Sequence, residues 1–274
     1  MSLDILIPVY NGKEHLLKLL NALKENPPGM EYRIYLFDNN SSDGGVKLAE
    51  SLYPEVRVIY SQRNLGYGSA LNRLIKVSDG EYLCTMNTDI YFDTDVFTPL
   101  LNKMEMDKSI LGIAPVLIMP GKGIVSTAGD IFPNLWTFLI EFLPIAEMVN
   151  RLLPGFRLWS SLKPYSFYKK GGYVNHIEGS FVLYRREVFK RYGIFDECFF
   201  LYFEDMDLQI RFPKKSMYIL PVFAYHVWGG SMRIKSPELV KIRHRSLLRY
   251  FSKHRTPFET LLIKMFLKTW GITW

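Results

Sequence analysis

Four short stretches set residue types at spacings that can do chemistry. In Met86-Asn87-Thr88-Asp89-Ile90 an apolar run empties into a polar turn ending in a carboxylate. Carboxylate oxygen is a hard ligand suited to Mg2+ or Mn2+, which nucleotide enzymes hold through one or two carboxylates plus substrate phosphates. The same residue type also forms turns and caps helices. In Phe199-Phe200-Leu201-Tyr202-Phe203-Glu204-Asp205-Met206-Asp207-Leu208, five bulky apolar residues run into three acids within four positions. Beside such a dry wall, desolvation and like-charge repulsion raise a carboxyl pKa toward the range of a general base. The alternative is that Glu204 and Asp205 simply occupy the first turn of a helix, where its dipole favours them. Along that helix Asp205 and Asp207 point in different directions. Tyr225-His226-Val227-Trp228-Gly229-Gly230-Ser231 offers either a structural histidine or an imidazole ligand followed by glycine amides able to approach a phosphate. Finally, Arg63-Asn64-Leu65-Gly66-Tyr67-Gly68-Ser69-Ala70-Leu71-Asn72 has Leu71 where the third glycine of a dinucleotide motif belongs. That argues against a nicotinamide enzyme.

These stretches sit at the ends of predicted elements. Leu3 to Val9, Tyr32 to Phe37, Val56 to Tyr60 and Tyr82 to Met86 read as strands. They alternate with helical stripes through Leu16 to Leu23, Val46 to Tyr53 and Ser69 to Val77. Such alternation implies βαβ units and a mainly parallel sheet covered on both faces. Ligands of these sheets bind beyond the carboxyl ends of the strands. The loops Tyr10-Asn11-Gly12, Asp38 to Gly45, Arg63 to Gly68 and Asn87-Thr88-Asp89 are therefore expected to face one crevice. Further strands are expected at Ile110 to Met119, Phe181 to Tyr184 and Met217 to Val222. Helices are expected at Arg186 to Tyr192 and from near Glu204. The aromatic, proline-broken stretch from Ile131 to Lys170 reads as an excursion over the site.

Charge divides the chain unevenly. Of a net +7 over 274 residues, the segment from Arg233 to Trp274 carries +8, leaving the rest near neutral. In that tail Leu247, Leu248, Phe251, Leu261, Leu262, Met265, Phe266 and Trp270 recur at roughly helical spacing among cations. Two placements follow: a basic amphipathic helix lying on an anionic membrane, or one docked on the domain with its cations in water. No nucleic-acid motif accompanies the charge, so nucleic acid is not an expected partner. At 48% apolar and 15% aromatic the composition excludes disorder. Cys84 and Cys198 alone exclude a disulfide scaffold or a clustered zinc site, and read as reduced core thiols. Met1-Ser2-Leu3-Asp4 runs straight into a strand, so no secretory leader is expected. The most apolar stretch falls short of about 20 clean residues, so no spanning helix is expected either. A cytoplasmic protein, peripheral at the inner membrane face if the tail binds lipid, is the resulting expectation.

Taken in order, seven motifs resemble the family 2 glycosyltransferases of the GT-A fold. They are Ile7-Pro8-Val9-Tyr10-Asn11, Asp38-Asn39-Asn40-Ser41-Ser42-Asp43-Gly44, Asn64-x-Gly66-x-Gly68-x-x-x-Asn72, Asn87-Thr88-Asp89, Gly179-Ser180-Phe181, Phe203-Glu204-Asp205-x-Asp207-Leu208 and His226-x-x-Gly229-Gly230-Ser231. The branch they are most similar to is the rhamnosyltransferase-like enzymes of bacterial polysaccharide assembly. The resemblance implies an α/β fold with a Rossmann-like, mainly parallel sheet, helices on both faces and a C-terminal helical tail. Its implied divisions are a nucleotide-binding half at 1–105, an acceptor and catalytic half at 106–232, and the tail at 233–274.

The resemblance also implies inverting transfer of a sugar from a UDP- or dTDP-linked donor, dTDP-rhamnose among the candidates, to a glycan or lipid-linked acceptor. On this reading Pro8, Val9, Tyr10, Asn11, Asp38, Asn40, Arg63, Asn64, Gly66, Asn72, Asn87, Thr88, Gly179 and Ser180 surround the nucleotide sugar. Asp89 and His226 hold Mg2+ or Mn2+. Gly229, Gly230, Ser231, Arg243 and Arg245 face the diphosphate. Asp205 is the general base, with Glu204 orienting it or the acceptor. Asn87 stands where the metal-binding D-x-D element has its first acid, so the protein supplies one carboxylate rather than two. A turnover-deficient nucleotide-sugar-binding or membrane-associated scaffold is the rival from another class, and the intact acids Asp38, Asp89, Glu204 and Asp205 argue against it. A nucleotidyltransferase needs a basic, glycine-rich loop after the first strand, and Tyr10-Asn11-Gly12-Lys13 is not one.

Overall fold

The computed structural model describes residues 2–142, 163–227 and 237–269. Its first part is the predicted alternation: β1 (Ser2–Val9), α1 (Lys13–Glu25), β2 (Glu31–Asp38), α2 (Gly45–Leu52), β3 (Arg57–Tyr60), α3 (Tyr67–Val77) and β4 (Tyr82–Met86). There follow β5 (Ile90–Tyr91), α4 (Phe97–Met106), β6 (Gly112–Met119), β7 (Gly123–Ile124), β8 (Ala128–Gly129), α5 (Leu135–Phe142) and α6 (Tyr165–Tyr168). The described chain continues with β9 (Gly172–Val174), β10 (His176–Ile177), β11 (Phe181–Arg185), α7 (Glu187–Tyr192), α8 (Glu204–Gln209), β12 (Met217–His226), α9 (Pro237–His254) and α10 (Pro257–Thr269).

The main sheet runs β3-β2-β1-β4-β11-β6-β12-β5, with β7 beside β6 and β9 beside β12, while β8 and β10 pair separately. The strands β3, β2, β1 and β4 are parallel, as the βαβ pattern requires. β11 then enters antiparallel between β4 and β6, and β12 lies parallel to β6. Two reversals along this path leave β6 and β12 pointing the same way as β1 and β4. The sheet is thus mixed, and the carboxyl ends of β1, β2, β3, β4, β6 and β12 share one edge.

Alternation along β1 sends Leu3, Ile5 and Ile7 to one face and Leu6 to the other. On the first face they join Leu16, Leu20 and Leu23 of α1, Val46 of α2 and Phe97 and Leu101 of α4. On the second, Leu6 meets Leu71 and Leu74 of α3, Val188 of α7 and Leu208 of α8. Burial on both faces is why β1 is a continuous apolar run. Pro8, which cannot donate to a ladder, is tolerated because β1 pairs with β4 only from Leu3 to Leu6. The ladder between the two strands ends there, at the point of the sheet where the strand order reverses and where ligands of such sheets bind. Pro221 is accommodated similarly: the register of β12 against β6 shifts between Leu220 and Phe223, a bulge that lets the strand run on to His226 rather than end at Val222. Only one of the two thiols is a core residue: Cys84 is buried, but Cys198 is exposed, lying in the turn after Asp196.

The tail forms a helical hairpin. Leu247, Leu248, Tyr250 and Phe251 of α9 and Ile263 and Leu267 of α10 pack with Phe138 and Phe199, against Phe203, Met206 and Ile210 of the body. Its inner face therefore docks on the domain, while Phe258, Leu261 and Met265 stay exposed outside. Asp207 fastens the contact. Fully buried, it takes Lys253 Nζ at 2.6 Å and His254 Nε2 at 2.8 Å on Oδ1, and Arg211 at 3.3 Å on Oδ2. The third acid of the cluster is an anchor for the hairpin, whereas Asp205 is bonded to Gly179 and Met206. Among the described residues no helix is long and apolar enough to cross a membrane.

Candidate active site

The loops after β1, β2, β3 and β4 meet where the ladder between β1 and β4 ends. Asn39 N–H donates to the Val9 carbonyl at 2.8 Å, and Asn11 N–H to Ser41 Oγ at 2.9 Å. Ser42 N–H returns a bond to Asn11 Oδ1 at 2.9 Å. Asp38 Oδ1 accepts Ser41 N–H at 2.9 Å, closing an Asx turn that shapes the loop from β2. Asn39 reaches across to the next loop, donating from Nδ2 to the Gly66 carbonyl at 3.2 Å and accepting Leu65 N–H at 3.0 Å. Asn64 Oδ1 accepts Gly66 N–H at 2.9 Å. Pro8 and Val9 are buried beneath this edge, while Tyr10 is 36% exposed at its mouth. Asn40 and Arg63 are exposed at the rim.

The acid pair is brought to the same edge by α8. Gly66, at φ 87°, has no room for a side chain: an added Cβ would collide with the Phe200 carbonyl oxygen. Tyr67 N–H donates to that carbonyl at 2.9 Å, so α3 and the segment before α8 are in direct backbone contact. Gly66 thus serves the close approach of two backbones rather than a dinucleotide. Tyr202 and Phe203 both take left-handed φ values, 69° and 68°, immediately before Glu204. Such conformations persist in bulky residues only where surroundings enforce them. Here Ser246 Oγ of α9 donates to the Leu201 carbonyl at 2.7 Å, and the Phe203 and Tyr250 rings lie 5.5 Å apart.

Asp205 Oδ2 accepts Gly179 N–H at 2.8 Å and Oδ1 accepts Met206 N–H at 2.7 Å. The carbonyl of Ser180, next to Gly179, accepts Asn87 N–H at 2.9 Å, and Asn87 lies two residues before Asp89. Tyr67 O–H donates to the Gly179 carbonyl at 3.0 Å. A continuous path of bonds thus links Asp205 through Gly179, Ser180 and Asn87 to Asp89. Burial raises the Asp205 pKa against the backbone donors that lower it, Gly179 first. Glu204 is pushed up to about 8, by burial first and by the Asp205 charge second. Its Oε2 is buried without a hydrogen-bond partner. Burial of two adjacent carboxyls disfavours a second charge, so both are held above the ordinary carboxylate range.

On the other side of Asn87, Asp89 Oδ1 lies 3.1 Å from His226 Nε2, and both residues are buried. β5 pairs antiparallel with β12, Ile90 against His226, and Val227 N–H donates to the Asp89 carbonyl at 3.0 Å. The two groups are hydrogen-bonded to each other, and their oxygen and nitrogen are donors of the kind that would hold Mg2+ or Mn2+. Among the described residues no group of three or more His, Cys, Asp or Glu forms such a site. Further coordination would come from substrate phosphate and water, the usual situation for Mg2+.

The remaining candidates are placed differently. Asn72 is buried in α3, donating to the Phe195 carbonyl at 2.9 Å and accepting Phe195 N–H at 3.1 Å. Its amide is engaged in tethering the approach to α8. Arg243 is exposed on α9 near Tyr202, whose phenol is raised by burial with Arg243 opposing and Glu204 adding to the shift. Arg245 instead lines a cleft between the two tail helices and Asp196, with Arg249, Lys253 and Lys264. Gly229, Gly230 and Ser231 lie outside the described residues. The structure adds Asn39 and Tyr67, which bind loops of the site to each other. Tyr67 is flanked by Gly66 and Gly68, and that flanking is its one signal in the sequence.

Known proteins bear on the same geometry. The sequence profile described as Glycosyl transferase family 2 matches residues 4–193. An N-acetylglucosaminyl-diphospho-decaprenol L-rhamnosyltransferase of Mycobacterium tuberculosis is 27% identical over 230 residues, covering 77% of this chain and 70% of its own. A dolichol-phosphate mannosyltransferase of Pyrococcus furiosus is 28% identical over 113 residues, 40% of this chain and 32% of that one. Among solved structures, GalNAc-T7 with UDP, GalNAc and Mn2+ superposes with a TM-score of 0.64 at 16% identity. That match covers 92% of this chain, which spans 47% of GalNAc-T7, less than half of it. Staphylococcus aureus TarS 1-349 with UDP gives a TM-score of 0.55 at 17% identity, over 94% of this chain and 74% of that one. These likenesses show the fold, a GT-A-like mixed sheet with added C-terminal helices.

Proposed function

This chain belongs to glycosyl transferase family 2, and from that premise we propose that it moves a sugar, with inversion, from a UDP- or dTDP-linked donor to a hydroxyl of a glycan or lipid-linked saccharide. The observation that carries the reading is the bond from Gly179 N–H to Asp205, which ties the acid pair to the strand edge bearing Asp89 and His226. A nucleotide lying across the loops of Tyr10, Asp38 and Arg63 directs its diphosphate toward Asp89. A rhamnosyl donor and a diphospholipid-linked acceptor are the substrates named for the mycobacterial relative, and they are the first substrates to try.

The chemistry then divides between the two ends of the edge. The acceptor oxygen forms its bond to the anomeric carbon as the bond to the diphosphate oxygen breaks, and the bonding pair leaves with the nucleotide. Asp205, ionised and held by two backbone donors, accepts the acceptor's hydroxyl proton. Glu204, buried beside it and held above the ordinary carboxylate range, keeps a second charge out of the dry pocket. A divalent ion held by Asp89 and His226 supplies charge neutralisation for the departing diphosphate when bound. A single in-line displacement inverts the anomeric centre.

Calorimetric titration of UDP and dTDP, with and without Mn2+, tests the donor side. Wild type is expected to bind one of them at least about tenfold more tightly with the ion, and Asp89→Ala to lose that gain. Equal affinity with ion and with EDTA in both proteins would remove the metal from the reading.

A further inference from the structure

The flank of the tail hairpin beside Asp196 carries chemistry that sugar transfer does not use. Arg245, Arg249 and Lys253 follow one another at four-residue steps along α9 and form one wall of an open cleft of about 560 Å3. Lys264 of α10 forms the other wall, Leu248 lies within it, and among the described residues Asp196 is its sole lining carboxylate. Asp196 is already engaged by Lys253 at 2.9 Å, and Lys253 is shared with the buried Asp207. Among the described residues no carboxylate pairs with Arg245, Arg249 or Lys264. The cleft therefore presents uncompensated positive charge with planar guanidinium donors, which suit phosphate oxygens.

Beside it runs an apolar stripe. Phe258, Leu261 and Met265 recur at three- and four-residue steps on α10 and are 66%, 53% and 55% exposed. Lys264 and Lys268 flank the stripe on the side of the cleft, since positions three or four apart share a helix face. The inner face of the same helix is already docked through Ile263 and Leu267. A surface with cations in a cleft, large apolar side chains next to it and a rigid mount behind it matches the boundary of an anionic bilayer, phosphates outside and acyl chains within.

We propose that the α9–α10 hairpin is a docking site for anionic membrane lipid, with a headgroup phosphate held between Arg245, Arg249 and Lys264 and with Phe258, Leu261 and Met265 entering the acyl layer. The inference stands on the charge and burial of the hairpin and is independent of the transfer reaction. Partial immersion of three apolar side chains and a few cations gives reversible, salt-sensitive binding rather than permanent anchoring.

The test is co-sedimentation of the full chain with phosphatidylglycerol/phosphatidylcholine vesicles and with pure phosphatidylcholine vesicles, at about 0.1 M and about 0.5 M salt. Wild type is expected to bind the anionic vesicles at low salt and to release at high salt. The pair Arg249→Gln and Lys264→Gln together is expected to weaken partitioning about 30-fold, each cation near an anionic surface being worth about fivefold. Phe258→Ser with Met265→Ser is expected to weaken it at least about tenfold while leaving the thermal melt unchanged, because both positions face water. Equal partitioning of wild type and the Gln pair, or equal binding to neutral vesicles, would overturn the proposal. So would binding of inorganic pyrophosphate at the cleft without vesicle binding, which would make soluble phosphate its ligand. A dimer that Phe258→Ser dissociates, with no vesicle binding, would make the stripe a contact between copies and also overturn it. Transfer to a soluble acceptor is expected to persist whichever result is obtained, so this proposal and the enzymatic one fail separately.

Discussion

Asp205→Asn is expected to lower turnover by about 10²- to 10⁴-fold, the usual contribution of a positioned general base, while nucleotide affinity stays within about threefold of wild type. The split follows from where the residue sits. Asp205 is bonded to Gly179 and Met206 on α8, whereas the loops expected to hold the nucleotide hang from β1, β2 and β3. Both Asp205 oxygens accept backbone N–H groups, and Asn offers one oxygen, so one donor is left facing an NH2 group. That mismatch is expected to lower stability by about 1–3 kcal/mol, readable in a urea melt. Turnover within about fivefold of wild type in the folded variant would remove Asp205 from the role of base.

Glu204→Gln is expected to change the pH dependence of stability more than any other substitution at the site. Glu204 keeps its proton in the folded chain up to about pH 8, whereas an unfolded Glu loses it near pH 4.3, an approximate reference value. Between those values the folded state binds the extra proton, so stability falls as pH rises, by about 1.4 kcal/mol per unit for one proton. The slope belongs to the proton shared by Glu204 and Asp205, whichever carboxyl holds it. Gln takes up no proton. Its stability advantage over wild type is thus expected to be small near pH 5, to grow through pH 7 and to level off above pH 8. Urea midpoints at three pH values decide this, and parallel curves for the two proteins would contradict it.

Much of this architecture is readable from the residues. The nucleotide half is legible because β1, β4 and most of β2 are buried on both faces, which makes apolar runs bounded by polar loops unmistakable. Tyr82–Met86 has its predicted bounds. The convergence of four polar loops follows from topology alone. The second half is less legible for specific reasons. α4 gives little signal because Pro99 stands inside its first turn, where proline is tolerated, and because its start is set by Asp95, whose Oδ1 accepts Phe97 and Thr98 N–H. β12 extends beyond its expected end because a bulge, invisible to hydropathy, absorbs Pro221. β7, β8, β9 and β10 are two or three residues long and carry no periodicity at all.

The site shows the same division. Asp38, Asp89, Asp205 and His226 stand out by residue type at strand or helix ends, and bonded segments of the structure bring them to one edge. Asn39 and Tyr67 do not stand out, because bridging two loops leaves no spacing signature. Asp207 reads in the sequence as a third member of an acidic cluster, and one helical step turns it toward Lys253 and His254 instead. The basic tail allows two placements because amphipathic spacing does not say what covers an apolar stripe. The hairpin has two such stripes, one docked through Phe251 and Ile263 and one open through Phe258 and Met265.

The anomeric configuration of the transferred sugar, read by proton NMR on wild-type product, tests the central claim most directly. With Asp205 at the acceptor end and Asp89 at the diphosphate end of one edge, a single displacement predicts a product of configuration opposite to the donor. A product that retains the donor configuration would require two displacements and a covalent or enclosed intermediate, and would contradict the account.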